Sequence, residues 1–274
     1  MNTLQNLHTH TNYCDGINTP KELIQAAIEK GFGGIGFSGH SYMYYSPDHS
    51  MSLAGTEQYK QEISLLKGEY NGVIDIFLGL EVDMYSEIDL SGYDYLIGGL
   101  HYLKINDEFV GFDRSAEVVS GIIQHHFDGD GLAFAKEYYQ QLASLPDHGK
   151  FDIIGHFDTL TKNIEKVRFW EVESQEYRKY ALAAMEALRG KIPLFEVNTG
   201  AIARGYRTAP YPDAFLMESF QKMGFGAVIS SDCHNARYLD CGFELARRML
   251  AAAGFKEHYI LTESGFLAVP LECN

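Results

Sequence analysis

The segment HTHTNYCD near the amino end places His8 and His10 two positions apart, with Asp15 close behind. On an extended chain, residues two apart point to the same face, so these imidazoles are offered to one point in space. A metal ion requires that arrangement; a chance surface pair is the plain alternative, and the rest of the chain decides between them. Further along, the apolar stretches FGGIGFSGH, VIDIFLGLEVD, YDYLIGGLH, FDIIGH and GAVISSDCH read as strands that carry His40, Glu81, His101, His156, and Asp232 with His234. A single histidine at a strand end is explained by one satisfied hydrogen bond. Six of eleven histidines, together with three carboxylates at the same ends, point to a common centre.

Nine nitrogen and oxygen donors exceed the three protein ligands of a usual catalytic zinc. They suit two or three divalent ions, and a donor set without thiolate fits Zn, Mn or Fe. Such a cluster brings the pKa of a water toward neutrality and clamps the attacking and leaving oxygens of a displacement at phosphorus. The expected chemistry is metal-assisted hydrolysis of a phosphate ester.

These donors have to be positioned by the elements between them. NTPKELIQAAIEKG starts with Thr19 as a helix cap and Pro20 in the first turn, and Gly31 closes it. EQYKQEISLLKGEY, AFAKEYYQQLASL, SQEYRKYALAAMEALRG, PDAFLMESFQKMG and CGFELARRMLAAAG read as further helices, the last closing the chain. Roughly seven βα units in 274 residues call for a parallel sheet rolled into a closed or nearly closed barrel. In such barrels the functional groups gather at the carboxyl ends of the strands. One domain spans 1–274, and a looser stretch near 106–131 is the candidate lid over the site.

Composition narrows the partners. A formal net charge of -15 argues against nucleic acid, which needs clustered Lys and Arg. The same charge repels anionic substrates unless bound cations reverse the local field. The apolar runs are far shorter than the roughly 18 residues that would cross a bilayer, so no membrane association is expected. No export signal stands at the amino end. Cys14, Cys233, Cys241 and Cys273 do not form a disulfide framework in a chain of this length, so a reduced, cytoplasmic protein is expected. A monomer or weak homo-oligomer acting on a small-molecule phosphate ester fits these features.

HTHTNYCD, FSGH, GLEVD, the GLH strand end, GHFD and SSDCH occur in the order seen in the polymerase and histidinol phosphatase (PHP) superfamily. Chain length, EVD, EYYQQL and the NTG turn at 198–200 most resemble its monofunctional histidinol-phosphate phosphatases. That resemblance implies a distorted (β/α)7 barrel, TIM-like and of PHP type, with three metals. By motif, His8, His10, Glu81 and Asp232 would hold one ion. Glu81 would bridge to a second ion on His101 and His156, and Asp15, His40 and His234 would hold the third. The family often has histidine where this chain has Asp15. The implied activity is hydrolysis of L-histidinol phosphate in histidine biosynthesis, with a nucleotide or sugar phosphate as the alternative substrate.

Substrate contacts are expected after the later strands. Arg204 is the first candidate for phosphate, Arg207 its substitute, and Lys162 a second cation, since guanidinium groups bind phosphate in bidentate fashion. Asp48 or Asp113 would receive an ammonium group. Asp232 or His234, beside Glu81, would supply the proton that the leaving alkoxide needs. His49, His125 and His126 read as surface residues, Cys14 and Cys233 as small buried side chains, and the SYMYYSPDHS stretch as a pocket wall or packed loop. Two rivals are a non-catalytic relative that keeps the fold, which should lack several ligands, and an amidohydrolase, which should carry a bridging lysine.

Overall fold

The computed structural model describes residues 2–271; Cys273 lies outside them. Its strands are β1 (Gln5–Asn6), β2 (Gly34–Phe37), β3 (Asp75–Asp83), β4 (Tyr95–Gly99), β5 (Tyr102–Ile105), β6 (Glu108–Gly111), β7 (Ile153–Ile154), β8 (Leu194–Asn198), β9 (Gly226–Ser230), β10 (Glu257–Thr262) and β11 (Gly265–Pro270). Seven of them form one parallel sheet in the order β1-β2-β3-β4-β7-β8-β9. Just past β1 and β9 the sheet meets itself: Thr9 bridges Cys233 in parallel, and the Cys233 carbonyl and N–H bond to His10 N–H and the His8 carbonyl at 2.8 and 2.9 Å. The result is a nearly closed seven-stranded barrel.

The helices are α1 (Pro20–Glu29), α2 (Leu53–Glu69), α3 (Ala116–His126), α4 (Gly131–Leu142), α5 (Gln175–Leu188), α6 (Gly200–Ala203), α7 (Ala214–Met223) and α8 (Phe243–Ala252). Their starts follow the sequence. Thr19 and Glu22 form a reciprocal capping box on α1, with Pro20 in the first turn, and the helix buries Leu23, Ile24 and Ala27. Ser52, Asp130, Ser174 and Asp213 each cap a helix through a side-chain oxygen.

Inside the barrel, Leu7, Phe77, Tyr95, Ile97, Ile153, Leu194 and Val228 pack together with Leu261 from β10. Tyr95 crosses this layer to donate its hydroxyl to the Leu7 carbonyl. Glycine is required beneath it, since a Cβ at Gly36 or Gly79 would stand 2.3 or 2.2 Å from Tyr95 atoms. Period-two alternation then carries β3 from Phe77 through Gly79 to Glu81, and β8 from Leu194 to Glu196, so the interior turns from apolar to charged within two residues.

Three features depart from the sequence reading. The 106–131 stretch is not loose: it holds the end of the antiparallel β5–β6 hairpin and all of α3. The chain does not close with α8, because an antiparallel β10–β11 hairpin follows. The Gln5 side-chain amide pairs with Leu261 at 3.0 and 2.7 Å, tying that hairpin to the foot of the barrel. Finally, regular β1 ends at Asn6, and His8 and His10 occupy the extended segment beyond it that completes the closure. Among the described residues no helix is long and apolar enough to cross a membrane.

Candidate metal centre

All nine donors singled out in the sequence meet at one end of the barrel, around Glu81. Its Oε1 lies 2.8 Å from His156 Nε2 and 3.2 Å from His101 Nε2. Its Oε2 lies 2.8 Å from His40 Nδ1, 3.4 Å from His8 Nε2 and 3.5 Å from His10 Nε2. Asp232 Oδ1 is 3.2 Å from His10 Nε2 and 3.4 Å from His234 Nδ1. Asp15 stands between His10 and His234, with Oδ1 at 3.4 Å from a ring nitrogen of each, and its Oδ2 is 3.7 Å from His40.

Three groups of donor atoms are close enough to share an ion: His8, His10 and Asp232; His40, Glu81 and His101; and His10, Asp15, His40 and His234. His156 adds to the second through the Glu81 contact. His10 and His40 thus stand between groups that motif comparison separates. Four of these buried atoms, His8 Nε2, His10 Nε2, Glu81 Oε2 and Asp15 Oδ1, have no hydrogen-bond partner among the described residues. Such atoms are costly to bury unless something pairs with them. Cations supply that partner, so the donor set fits divalent ions.

The electrostatics agree. Burial alone would raise the Glu81 carboxyl, but His40, His8 and His101 hold it well below the usual carboxylate range. Burial is likewise overcome at Asp232 by Arg204 and His8, and at Asp15 by His10 and His234. All three are therefore anionic at neutral pH. The backbone is strained here as well: His156 and Asp232 have φ of 20° and 46°, a region that non-glycine residues enter at a cost and chiefly at functional sites.

Two carboxylates that the sequence reading left unassigned stand behind the histidines. Asp83, on the same face of β3 as Glu81, accepts from His101 N–H at 2.9 Å and lies 3.3 Å from His101 Nδ1; it also accepts the Tyr45 hydroxyl at 2.6 Å. Glu196 pairs with His8 Nδ1 at 2.6 Å. Alternation along GLEVD was the available signal for Asp83, and a glutamate within the apolar run IPLFEVN was the signal for Glu196.

A cavity of about 210 Å³ opens over the cluster, and Arg204, Lys162, Asp113 and Arg114 line it. Arg204 Nη2 is 2.9 Å from Asp232 Oδ2, and Nη1 donates to the Asp232 carbonyl at 3.2 Å. Lys162 Nζ pairs with Asp113 Oδ1 at 2.8 Å. Arg207 does not line the cavity. Its guanidinium is buried beside Asp158 and Thr161 and over the Tyr211 ring, because the turn after Gly205 directs it inward. His49, expected on the surface, lines the cavity and accepts from Arg114 at 2.8 Å; Arg114 was not anticipated. Asp48 and His125 are exposed, His126 is partly so, and none of the three lines the cavity. Cys233 is buried and Cys14 half-buried, and burial pushes both thiols up to about 12.

Residues 6–200 match the PHP domain family model. The chain belongs to that family. Among curated relatives, the probable histidinol-phosphatase of Deinococcus radiodurans is 29% identical over 257 residues, covering 90% of this chain and 91% of its own. The histidinol-phosphatase of Bacillus subtilis is 26% identical, covering 86% and 96%. The crystal structure of histidinol phosphate phosphatase from Lactococcus lactis, complexed with zinc, L-histidinol and phosphate, superposes with a TM-score of 0.74. That structure is 22% identical and covers 97% of this chain and 99% of its own.

Proposed function

We propose that this chain is a metal-dependent phosphomonoesterase that hydrolyses L-histidinol phosphate to L-histidinol and inorganic phosphate. The observation that carries the reading is the clustering of nine donors, Glu81 at their centre, beneath a cavity that also holds Arg204 and the Lys162–Asp113 pair. The names of the relatives support the choice of substrate.

The ligand groups are those carried over by motif: His8, His10 and Asp232 with Glu81; Glu81 with His101 and His156; and Asp15, His40 and His234, with His10 and His40 near enough to serve a neighbouring group as well. Two or three divalent ions of Zn, Mn or Fe bound there supply Lewis acidity and a nucleophilic water at neutral pH. Arg204, braced by Asp232, meets the phosphate oxygens and balances the charge that builds on them in the transition state. Lys162 adds a second positive charge. Asp113 receives the substrate ammonium: its enclosed seat would raise its pKa, but Lys162 and His101 bring it down to about 2, so it is anionic.

The departing alkoxide takes its proton from the side of the cavity that Asp232 and His234 line. His234 is turned with Nε2 toward Asp15 and Nδ1 toward the Asp232 carbonyl. Tyr102 and Gly111 of the β5–β6 hairpin, with Asp113 and Arg114 just after it, wall one side of the cavity. The charge balance and free cysteines suit a reduced cytoplasmic setting, with a monomer or weak homo-oligomer as the working unit.

Phosphate release measured on L-histidinol phosphate beside nucleotide and sugar monoesters, with Zn or Mn added, tests the reading. Turnover at least tenfold faster on histidinol phosphate is expected. Faster turnover of another ester would move the substrate and leave the site, and no turnover of any ester would overturn both.

A further inference from the structure

Glu196 is fully enclosed at the centre of the barrel, one step below the histidines. Its Oε1 pairs with His8 Nδ1 at 2.6 Å and accepts from the Ser230 hydroxyl. Its Oε2 accepts the backbone N–H of His156 at 2.8 Å and the Asn198 side-chain amide at 2.9 Å. A carboxylate offers about four lone-pair sites, and all four are used. Glu196 therefore has none left for a metal.

Both contacts act on the ligand histidines. A carboxylate oxygen at 2.6 Å keeps a proton on His8 Nδ1, so Nε2, which faces Glu81 and Asp232, is the nitrogen left for a metal. The bond to His156 N–H anchors the residue whose φ of 20° aims its ring at Glu81 and His101. Asp83 provides the corresponding support to His101 alone.

We propose that Glu196 is the positioning residue shared by two of the three donor groups, fixing the tautomer of His8 and the seat of His156 without itself ligating. This rests on the reading of the cluster as a metal centre. The Gln isostere discriminates sharply. A glutamine has one acceptor oxygen, and turning its NH2 toward His156 N–H and Asn198 sets donor against donor. The amide must then face Ser230, which can accept, and His8 Nδ1, which must give up its proton. That proton moves to Nε2, where it blocks ligation while the fold keeps its hydrogen bonds.

The test is Zn²⁺ titration of chelator-stripped protein, wild type against Glu196→Gln, with ¹⁵N NMR of the imidazole nitrogens before metal is added, at a pH alkaline enough for His8 to carry a single proton. The expected result is a 10–100-fold loss of Zn²⁺ affinity and exchange of the protonated nitrogen of His8, with metal-free melting temperature near wild type. Unchanged affinity in the Gln variant, or a His8 tautomer that does not move, would overturn the positioning role. If Glu196→Gln does not fold, Glu196→Asp serves: its shorter arm cannot hold both His8 and His156 N–H, and the same affinity loss is expected, unchanged affinity again overturning the proposal. Wild-type protein that binds no Zn²⁺ would instead overturn the metal-centre reading itself.

Discussion

His101 Nε2 and His156 Nε2 stand 3.1 Å apart, presented by the ends of β4 and β7, and Glu81 Oε1 is within 3.2 Å of both. Asp83 occupies the other nitrogen of His101. Two ring nitrogens and a carboxylate oxygen turned to one point make a coordination face, and five imidazoles in all reach Glu81. Glu81→Gln should therefore cost metal and rate together. A loss of several kcal/mol of charge stabilisation corresponds to about a thousandfold or more in kcat, read by phosphate release alongside metal content per chain. Wild-type turnover with depleted metal would refute the hydrolytic role of the centre.

Arg204 and Arg207 lie three residues apart but face different surroundings. Arg204→Ala removes a charged hydrogen-bond donor from the cavity and should lower kcat/KM by about 10–100-fold, consistent with roughly 1.5–3 kcal/mol. Arg207→Ala should leave kcat/KM within about threefold. It should instead lower the melting temperature, by roughly 10 °C for a loss of about 3 kcal/mol, because Asp158 is left buried without its cation. Steady-state kinetics and thermal unfolding of the two variants separate these roles, and an Arg207 variant with the larger kinetic defect would contradict the assignment.

Far from the site, His258 sits buried on β10, its Nδ1 without a hydrogen-bond partner among the described residues. Burial, and then Arg247, bring its pKa down to about 4. The unfolded chain therefore binds a proton at this position between about pH 6.5 and 4 that the folded chain refuses, so stability falls as pH falls through that window. The contribution is on the order of 2–3 kcal/mol. In His258→Gln this loss should be absent, so denaturant melts at pH 7 and 4.5 should differ less for the variant than for the wild type.

Chelation should lower the melting temperature, since a metal that binds only the folded chain stabilises it by mass action. At a thousand times the dissociation constant this is about 4 kcal/mol per site, or roughly 10 °C for a chain of this size. Calorimetry with and without chelator measures it. Identical melting curves would mean that the partnerless atoms around Glu81 are paired by something else.

The donor cluster could be read from the sequence because parallel strands in a barrel all deliver their carboxyl ends to one face. A motif at each strand end thus carries its own address. His8, His10, His40, His101, His156 and His234 converge for that reason, as do Asp15, Glu81 and Asp232. Asp83 and Glu196 were harder to see, because a buried carboxylate within an apolar run acquires its meaning from the histidine placed against it by another strand. The β10–β11 hairpin escaped notice because its inner residues answer to Gln5 and the barrel floor, 256 positions away. Arg114 and His49 pair across 65 positions, and nothing in either local stretch announces the other.

Residue type and strand periodicity by themselves determined the barrel class, the start of α1 and which donors meet around Glu81, since these depend on local alternation and capping. Only the tertiary structure decided which histidine each donor faces, which arginine enters the cavity and which carboxylates stand behind the ligands. Those outcomes turn on ångström-scale distances between side chains brought together from remote parts of the chain, and such distances are set by packing rather than by sequence spacing.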